Sequence, residues 1–314
     1  MKYQSRYYAF TLGSLVVALS GCKSIDKSPF NDLSTAGDKM VQGTTDTYTG
    51  VQTILRAKQV SYLMGQDAPP WVGDNRNELF RPNLIDPDVF DARLKMAQAL
   101  SGYAKKLATL ADGPDYQKFD ASAQAVANSL AGFDTDALAK LGFPTKIPFS
   151  KDTADDAANI VSDVAHLIMA EVSKHELKHY IEANEVKIDK FTALLAADIG
   201  QHTDDKGRPT DGIRALYYKN IYAQLQVAAG DTNEWSKGDA ARTTLVNKSF
   251  DLADELRTQD ASLVALQKAY LQFAIVNHQL IKTVADSESF DAAQAVSVLN
   301  GLVDHITALT KSLK

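Results

Sequence analysis

The stretch DPDVFDARLKMAQALSGYAKKLATLADGP, residues 86–114, decides the fold class of this chain. Asp86 is suited to cap a helix, Pro87 to occupy its first turn, and Gly113-Pro114 to end it. The stretch therefore predicts a helix over 87–112. Its apolar residues recur at spacings of three, four and seven, which places them on one buried stripe: Phe90, Leu94, Ala97, Ala104, Leu107 and Ala111.

The same helical period occurs in most other long segments of the chain. Segments with strict alternation of apolar and polar residues, the mark of strands, are not evident. The sequence therefore predicts an all-α fold in which long antiparallel helices form a bundle. Besides 87–112, we predict helices near 116–131, 153–200, 212–229, 238–259, 261–285 and 289–312, with irregular connections at 65–85 and 201–211.

Proline usage divides the predicted fold into two regions. Eight of the nine prolines precede residue 150, and only Pro209 follows it. Because proline interrupts helices, this distribution predicts an N-terminal helical region with irregular loops over 38–150 and a C-terminal bundle of long helices over 151–314. Packing of the two regions as one domain is equally compatible with the pattern.

Residues 1–21 have the composition of a secretory signal. Lys2 and Arg6 precede an apolar run that is shorter than the roughly 20 residues of a membrane-spanning helix. The run ends in Leu19-Ser20-Gly21-Cys22, which resembles the lipobox of bacterial lipoproteins, and Cys22 is the single cysteine. The resemblance implies cleavage before Cys22 and a membrane anchor of diacylglycerol plus an amide-linked acyl chain on that residue.

The residues after Cys22 indicate where the anchored protein is delivered. Lys23-Ser24 stand where lipoproteins retained in the inner membrane of enterobacteria often carry Asp. The resemblance thus implies the outer membrane of a Gram-negative bacterium, with the protein facing the periplasm. Residues 23–37 are polar and rich in turn-forming residues, so that, with the lipidated Cys22, we expect a flexible tether over 22–37.

The charge balance argues against a nucleic-acid partner, and the cysteine content argues against disulfide bonds. The chain has 33 basic and 39 acidic residues and no basic stripe. Binding to nucleic acid depends on neutralising phosphates, so we expect no nucleic-acid partner. Once Cys22 is lipidated, no cysteine remains for disulfides, and the fold must be stabilised by packing.

One chemical motif stands out, His175-Glu176-Leu177-Lys178-His179. It matches H-E-x-x-H and resembles the motif of zinc metallopeptidases over five residues. On a helix, residues four apart share a face, so His175 and His179 could bind one zinc ion and Glu176 could act as the catalytic general base. This alternative makes the protein a membrane-tethered zinc peptidase.

Several features of the motif depart from the peptidase pattern. The charged Lys178 occupies a position that is normally uncharged in that family. A third zinc ligand is required, and the candidates are Glu185, which lacks the expected glycine turn before it, and Glu255, whose surroundings do not match the family. The buried stripe of the predicted helix changes sides at residues 173–176. A polar patch is expected at such a change, so the motif can be explained without metal binding or catalysis. Metal binding without catalysis is a third interpretation.

The leading functional hypothesis is therefore a lipid-anchored helical envelope protein that binds other proteins. It needs no cofactor, although zinc stays possible through the motif. The expected partner is an envelope or secreted protein, in an assembly, scaffold, inhibitory or immunity-type role. The sequence does not rank these roles.

Overall fold

The computed structural model describes residues 26–64, 87–112, 164, 168, 176–229, 235–286 and 290–312. These residues form helices and no strand, so the protein is all-α; an isolated bridge joins Thr203 and Pro209. The helices within those ranges are α1 (Ser28–Met64), α2 (Pro87–Asp112), α3 (Leu177–Ile199), α4 (Gly212–Ala229), α5 (Asp239–Asp286) and α6 (Phe290–Ser312).

Helices α2, α4 and α6 confirm the predicted boundaries to within a residue. The predicted stripe of α2 faces the core, although its N-terminal residues Phe90 and Leu94 are only half-buried. The second predicted stripe, on α3, is also buried: Leu177, Ile181, Ile188, Leu195 and Ile199. The predicted helix 116–131, the connection 65–85 and most of 151–175 lie outside the described residues.

The predicted break between helices 238–259 and 261–285 is wrong, because α5 is one helix of 48 residues. The polar residues at the expected break contact neighbouring helices, although the buried Oε1 of Gln259 has no hydrogen-bond partner. Gln259 is fully buried and donates to the backbone oxygen of Thr47, while Asp260 accepts a bidentate ion pair from Arg214 of α4. Polar side chains that suggest a turn in isolation are here contacts between helices.

The predicted tether over 22–37 is too long, because α1 begins at Ser28. Asp26 accepts a hydrogen bond from the backbone N–H of Ser28, which satisfies one of the free donors at the helix start. Phe30, Leu33 and Ala36 are fully buried in the core. Their spacing of three fits a helix face, and burial of these side chains outweighs the turn-forming tendency of the polar residues between them.

Contacts between named residues give the direction of each helix. Thr44 meets Tyr270 and Thr47 meets Ser262, so α1 and α5 are antiparallel. Gln272 of α5 donates to the backbone oxygen of Ala295, and only three residues separate the end of α5 from the start of α6, so α5 and α6 are antiparallel. Lys27 contacts Asp112, which brings the start of α1 to the end of α2. These contacts confirm a helical bundle and support antiparallel packing of the α1–α5 and α5–α6 pairs.

Helix α5 is the axis around which the bundle is organised. At about 1.5 Å per residue it is about 72 Å long. Its C-terminal half packs against α3, with Glu185 level with His278 and Gly200 level with Gln267. Its N-terminal half packs against α4. Helices α3 and α4 therefore follow each other in the same direction along successive parts of α5.

Candidate functional site

A buried ion pair lies at the centre of the bundle. Arg93 of α2 donates from Nε and Nη2 to the two carboxylate oxygens of Asp198 on α3, at 2.5 and 2.7 Å. Both side chains are 5% exposed. The Tyr48 hydroxyl of α1 donates to the same carboxylate at 3.3 Å, and its ring lies under the guanidinium. Burial and the Asp198 charge raise the pKa of Tyr48, so that it stays a neutral donor.

The geometry of this cluster is that of a structural connection among three helices. The Asp198 carboxylate is buried and accepts three hydrogen bonds, two from Arg93 and one from Tyr48. A charged pair of this kind fixes the register of α1, α2 and α3. No signal in the sequence distinguished Arg93 and Asp198 from surface charges, because they are more than a hundred residues apart.

A second buried cation, Lys106, lies further along α2. The ammonium of Lys106 donates to the backbone oxygen of Ile168 at 2.8 Å and lies 5.4 Å from the ring centre of Tyr180. Burial lowers the pKa of Lys106 to about 8. Tyr180 also stacks on Tyr103, whose hydroxyl donates to Asn277 of α5. These contacts attach α2 to α3 and α5.

The zinc motif lies at the start of α3. Glu176 immediately precedes the helix, and both Glu176 and His179 are exposed. Lys178 is exposed as well and forms a surface ion pair with Glu182. His175 lies outside the described residues. Among the residues that are described, no three His, Cys, Asp or Glu side chains are placed to hold a metal ion together.

Neither candidate third ligand lies beside His179. Glu185 is six residues further along α3, on another side of the helix, and its carboxylate contacts Nδ1 of His278 at 2.5 Å. Glu255 lies 23 residues before His278 on α5, which separates it from the Glu185 level by about 35 Å. Because α3 and α5 are antiparallel, His179 lies even further from Glu255 than Glu185 does. Among the described residues, neither Glu185 nor Glu255 is therefore brought together with His179.

The connection between α3 and α4 is a compact hairpin loop over 201–211. Gly200 and Gly212 flank it with φ of 110° and 65°, and a Cβ on Gly200 would lie 2.2 Å from the backbone oxygen of Asp211. The Asp211 carboxylate accepts from the backbone N–H of His202 at 2.9 Å and contacts its Nδ1 at 2.6 Å. The two helix ends therefore abut, and the predicted connection 201–211 is an ordered loop closed at its base.

Arg214 and Gln267 hold this joint against α5. Gln267 donates to the backbone oxygens of Ala196 and Gly200, at 3.1 and 2.8 Å. Arg214 donates to the oxygen of Gly200 and to the carboxylate of Asp260. Side chains of α4 and α5 thus donate to the backbone oxygens of Ala196 and Gly200 at the C-terminal end of α3, where helix carbonyls lack intrahelical donors or share them.

Four of the eight large apolar side chains that are exposed among the described residues lie on α5. Val246, Phe250, Leu271 and Ile275 are 41, 63, 41 and 49% exposed. At about 100° per residue they fall within a narrow sector of the helix, opposite the side that packs on α1. We call this sector, from Asp239 to Lys282, the outer face of α5. Its signal in the sequence is a set of apolar residues displaced from the buried stripe of the helix, which we did not predict to be exposed.

No family model, curated protein or solved structure matches this chain. No helix of the described residues is long and apolar enough to cross a bilayer. Cys22 and the predicted signal lie outside the described residues.

Proposed function

We propose that this protein is a lipid-anchored helical component of the bacterial envelope that acts by binding another envelope or secreted protein. The anchor is the lipid on Cys22, and the location is the outer membrane facing the periplasm. The role is non-catalytic and needs no cofactor. The observation that carries the proposal is the outer face of α5, which presents apolar side chains on a helix held by a well-packed bundle.

The anchor and the bundle are close together in the chain. Five residues separate Cys22 from Ser28, the first residue of α1, and at about 3.5 Å per residue they span at most about 20 Å. The ends of α2 and α5 lie at the same end of the bundle as the start of α1. A lipid on Cys22 thus orients the bundle, with the N-terminal half of α5 furthest from the anchor along the helix axis.

The C-terminal part of the outer face has the features of a protein-binding surface. Leu271 and Ile275 are four residues apart and therefore adjacent on the helix surface. Lys268 and Lys282 flank them and are exposed. An exposed apolar centre with a charged rim is the usual composition of a protein interface. Basic flanks favour an acidic or amphipathic partner segment.

Site-specific photocrosslinking in the native bacterium tests this function. A photoreactive residue at Ile275 of the full-length chain should crosslink one discrete envelope or secreted protein. The same residue at His305, an exposed position on α6, is the control and should not. A Leu271→Glu change should remove the crosslink. Absence of a protein crosslink at Ile275, in cells where the chain is membrane-bound, would contradict the proposal.

The anchor has its own test, by metabolic labelling with a palmitate analogue. The wild-type chain should carry the label and fractionate with the outer membrane, and Cys22→Ser should lose both properties. Retention of the label in Cys22→Ser would exclude Cys22 as the lipidation site.

A further inference from the structure

Helices α3 and α6 lie on two sides of α5 and leave between them a side that no described helix covers. We take the buried Phe273 as the direction of the core. Gln267 and His278, which contact α3, then lie about 130° around α5 in one direction. Gln272, which contacts α6, lies about 100° around α5 in the other direction. The uncovered sector between α3 and α6 is therefore about 130° wide.

This sector has the width that one additional helix needs. Packed helices have their axes about 8–10 Å apart. A helix laid on α5 along the midline of the sector would be about 65° from both α3 and α6, which places its axis about 10 Å from each of them. Leu271 and Ile275 lie within about 35° of that midline and form the floor. We call this sector from Lys268 to Lys282, with the sides of α3 and α6 that border it, the outer groove.

Helix α3 supplies an apolar side chain to one wall of the outer groove. Glu185 contacts His278 and α3 is antiparallel to α5, so the next residue, Val186, is level with Asn277. Val186 lies about 100° beyond Glu185 around α3, on the side away from the buried Ile188. It is 62% exposed, so the wall is open to a partner.

Helix α6 supplies an apolar side chain to the other wall. Gln272 donates to the backbone oxygen of Ala295, and Val298 is therefore level with Ala269 of the antiparallel α5. Val298 is 49% exposed. It lies about 12 Å from Val186 along the direction of α5. Together with the floor, the two valines form an apolar band that crosses the groove from wall to wall.

The charges of the outer groove indicate the charges of its partner. Lys268 and Lys282 lie at the two ends of the floor, about 21 Å apart and within about 25° of the midline. Both are exposed, as is Asp189 on the α3 wall, and none of the three forms an ion pair with a described residue. Burial and the Glu185 charge raise the pKa of Asp189 more than the His278 charge lowers it. A partner with acidic side chains over both lysines and a basic one beside Asp189 is therefore complementary to the groove.

We propose that the partner binds through an amphipathic α-helix of about four turns, which lies along α5 in the outer groove. Its apolar stripe covers Leu271 and Ile275, and acidic side chains at the two ends of that stripe meet Lys268 and Lys282. The inference rests on the proposed function, because it names the element by which the same partner binds the same surface.

A helix suits this groove better than an extended segment does. The groove is formed by three helices, whose backbone groups are paired within each helix and offer no sheet edge. An extended segment buried there would leave its own backbone N–H and C=O groups without partners, which is costly. A helix satisfies these groups internally and presents only side chains to the groove.

Photocrosslinking from both walls, in the native bacterium and on the full-length chain, tests the occupant of the groove. A photoreactive residue at Val186 or at Val298 should crosslink the same protein as one at Ile275. Ser297 is the matched control, because it is exposed and lies about 100° from Val298 around α6. It should give no crosslink. His305 is level with Ser262, about 9 Å beyond the Lys268 end of the groove, and should give none either.

The crosslinked positions in the partner distinguish a helix from an extended segment. The 12 Å between Val186 and Val298 along α5 correspond to about eight residues of a helix and about four of a strand. Mass spectrometry of the crosslinked peptides should therefore find the two positions about eight residues apart in the partner sequence. Positions about four residues apart, or in separate segments of the partner, would overturn the proposal.

Charge reversal tests the acidic ends of the partner helix. Lys268→Glu/Lys282→Glu should lower the yield of the Val186 crosslink by about fivefold or more, because two attractions become repulsions. Lys248→Glu changes an exposed lysine of the same helix outside the groove and should leave the yield unchanged. Equal yields from the double variant and from Lys248→Glu would overturn the charge assignment.

The outcomes separate this inference from the proposed function. No protein crosslink at Ile275 would contradict both. A crosslink at Ile275 without crosslinks at Val186 and Val298 would leave the proposed function standing and overturn the helix in the groove. Crosslinks from Val186 or Val298 to this chain itself, or to a second copy of it, would also overturn the proposal.

Discussion

Arg93 and Asp198 form a bidentate ion pair inside the bundle, with Nε–Oδ2 and Nη2–Oδ1 distances of 2.5 and 2.7 Å. The pair connects α2 to α3 across 105 residues of sequence, and Tyr48 of α1 completes it. A buried pair of charges is stable only while both partners are present, because desolvation of one alone is costly. This makes the pair the most sensitive point of the fold.

We predict that Arg93→Met lowers the free energy of unfolding by about 3–5 kcal/mol, because it leaves the Asp198 carboxylate buried without its cation. Urea denaturation measures the change. Lys95→Met, which removes an exposed pair with Asp91 on the same helix, should cost about 0.5 kcal/mol or less. The double variant Arg93→Met/Asp198→Leu should recover part of the loss, since it removes both charges. A loss no larger than that of Lys95→Met would show that the pair is unimportant.

The base of the 201–211 loop gives a second prediction. Gly200→Ala should destabilise the protein by about 2 kcal/mol or more, because the residue has φ of 110° and a Cβ would overlap the backbone oxygen of Asp211. Gly207→Ala is the matched control, with φ of 75° and open space around the Cβ position. It should cost about 1 kcal/mol, the backbone term alone. Equal losses for the two variants would contradict the close approach. Thermal melting of both proteins makes the comparison.

Asp211 gives a prediction for pH. Burial raises its pKa, but hydrogen bonds from the His202 side chain and from the backbone N–H groups of His202 and Gln201 outweigh burial and hold it below the ordinary value. The charged form is therefore preferred in the folded state. Its contribution is present above the ordinary pKa of about 3.9 and is lost as the pH falls through the folded pKa.

Asp211→Asn should consequently be less stable than wild type at pH 7, and the difference should shrink as the pH is lowered from 6 to 3. Urea denaturation across this range measures both proteins. Asp205→Asn, at the exposed tip of the same loop, should show no such convergence. A difference that is constant with pH would mean that the Asp211 charge does not stabilise the loop.

A prediction for metal binding follows from the positions of Glu185 and Glu255. Because neither lies beside His179, we expect no zinc binding tighter than about 1 µM by calorimetry on the full-length chain. Glu176→Gln should leave the envelope function unchanged. Tight one-to-one binding that His175→Ala/His179→Ala removes would contradict this expectation and favour the peptidase.

Much of the fold was predictable from local patterns. The boundaries of α2 follow from Pro87 and Gly113, and the stripe from Leu177 to Ile199 follows from its period. These signals depend on residues close in sequence, where capping and amphipathic spacing act directly. The predicted break before Ala261 failed because Gln259 and Asp260 find their hydrogen-bond partners on α1 and α4, which no local pattern reveals.

The candidate sites likewise include features that the local sequence indicates and features that depend on how the helices pack. The sequence by itself determined the all-α class, the lipoprotein-like Cys22 and the motif at 175–179, since each depends on the order of neighbouring residues. Only the tertiary structure decided that Glu185 and Glu255 are apart from His179, that Arg93 meets Asp198, and that Val246, Phe250, Leu271 and Ile275 share an exposed face. Those facts depend on which helices pack together, because burial and pairing are set by contacts between segments far apart in the chain.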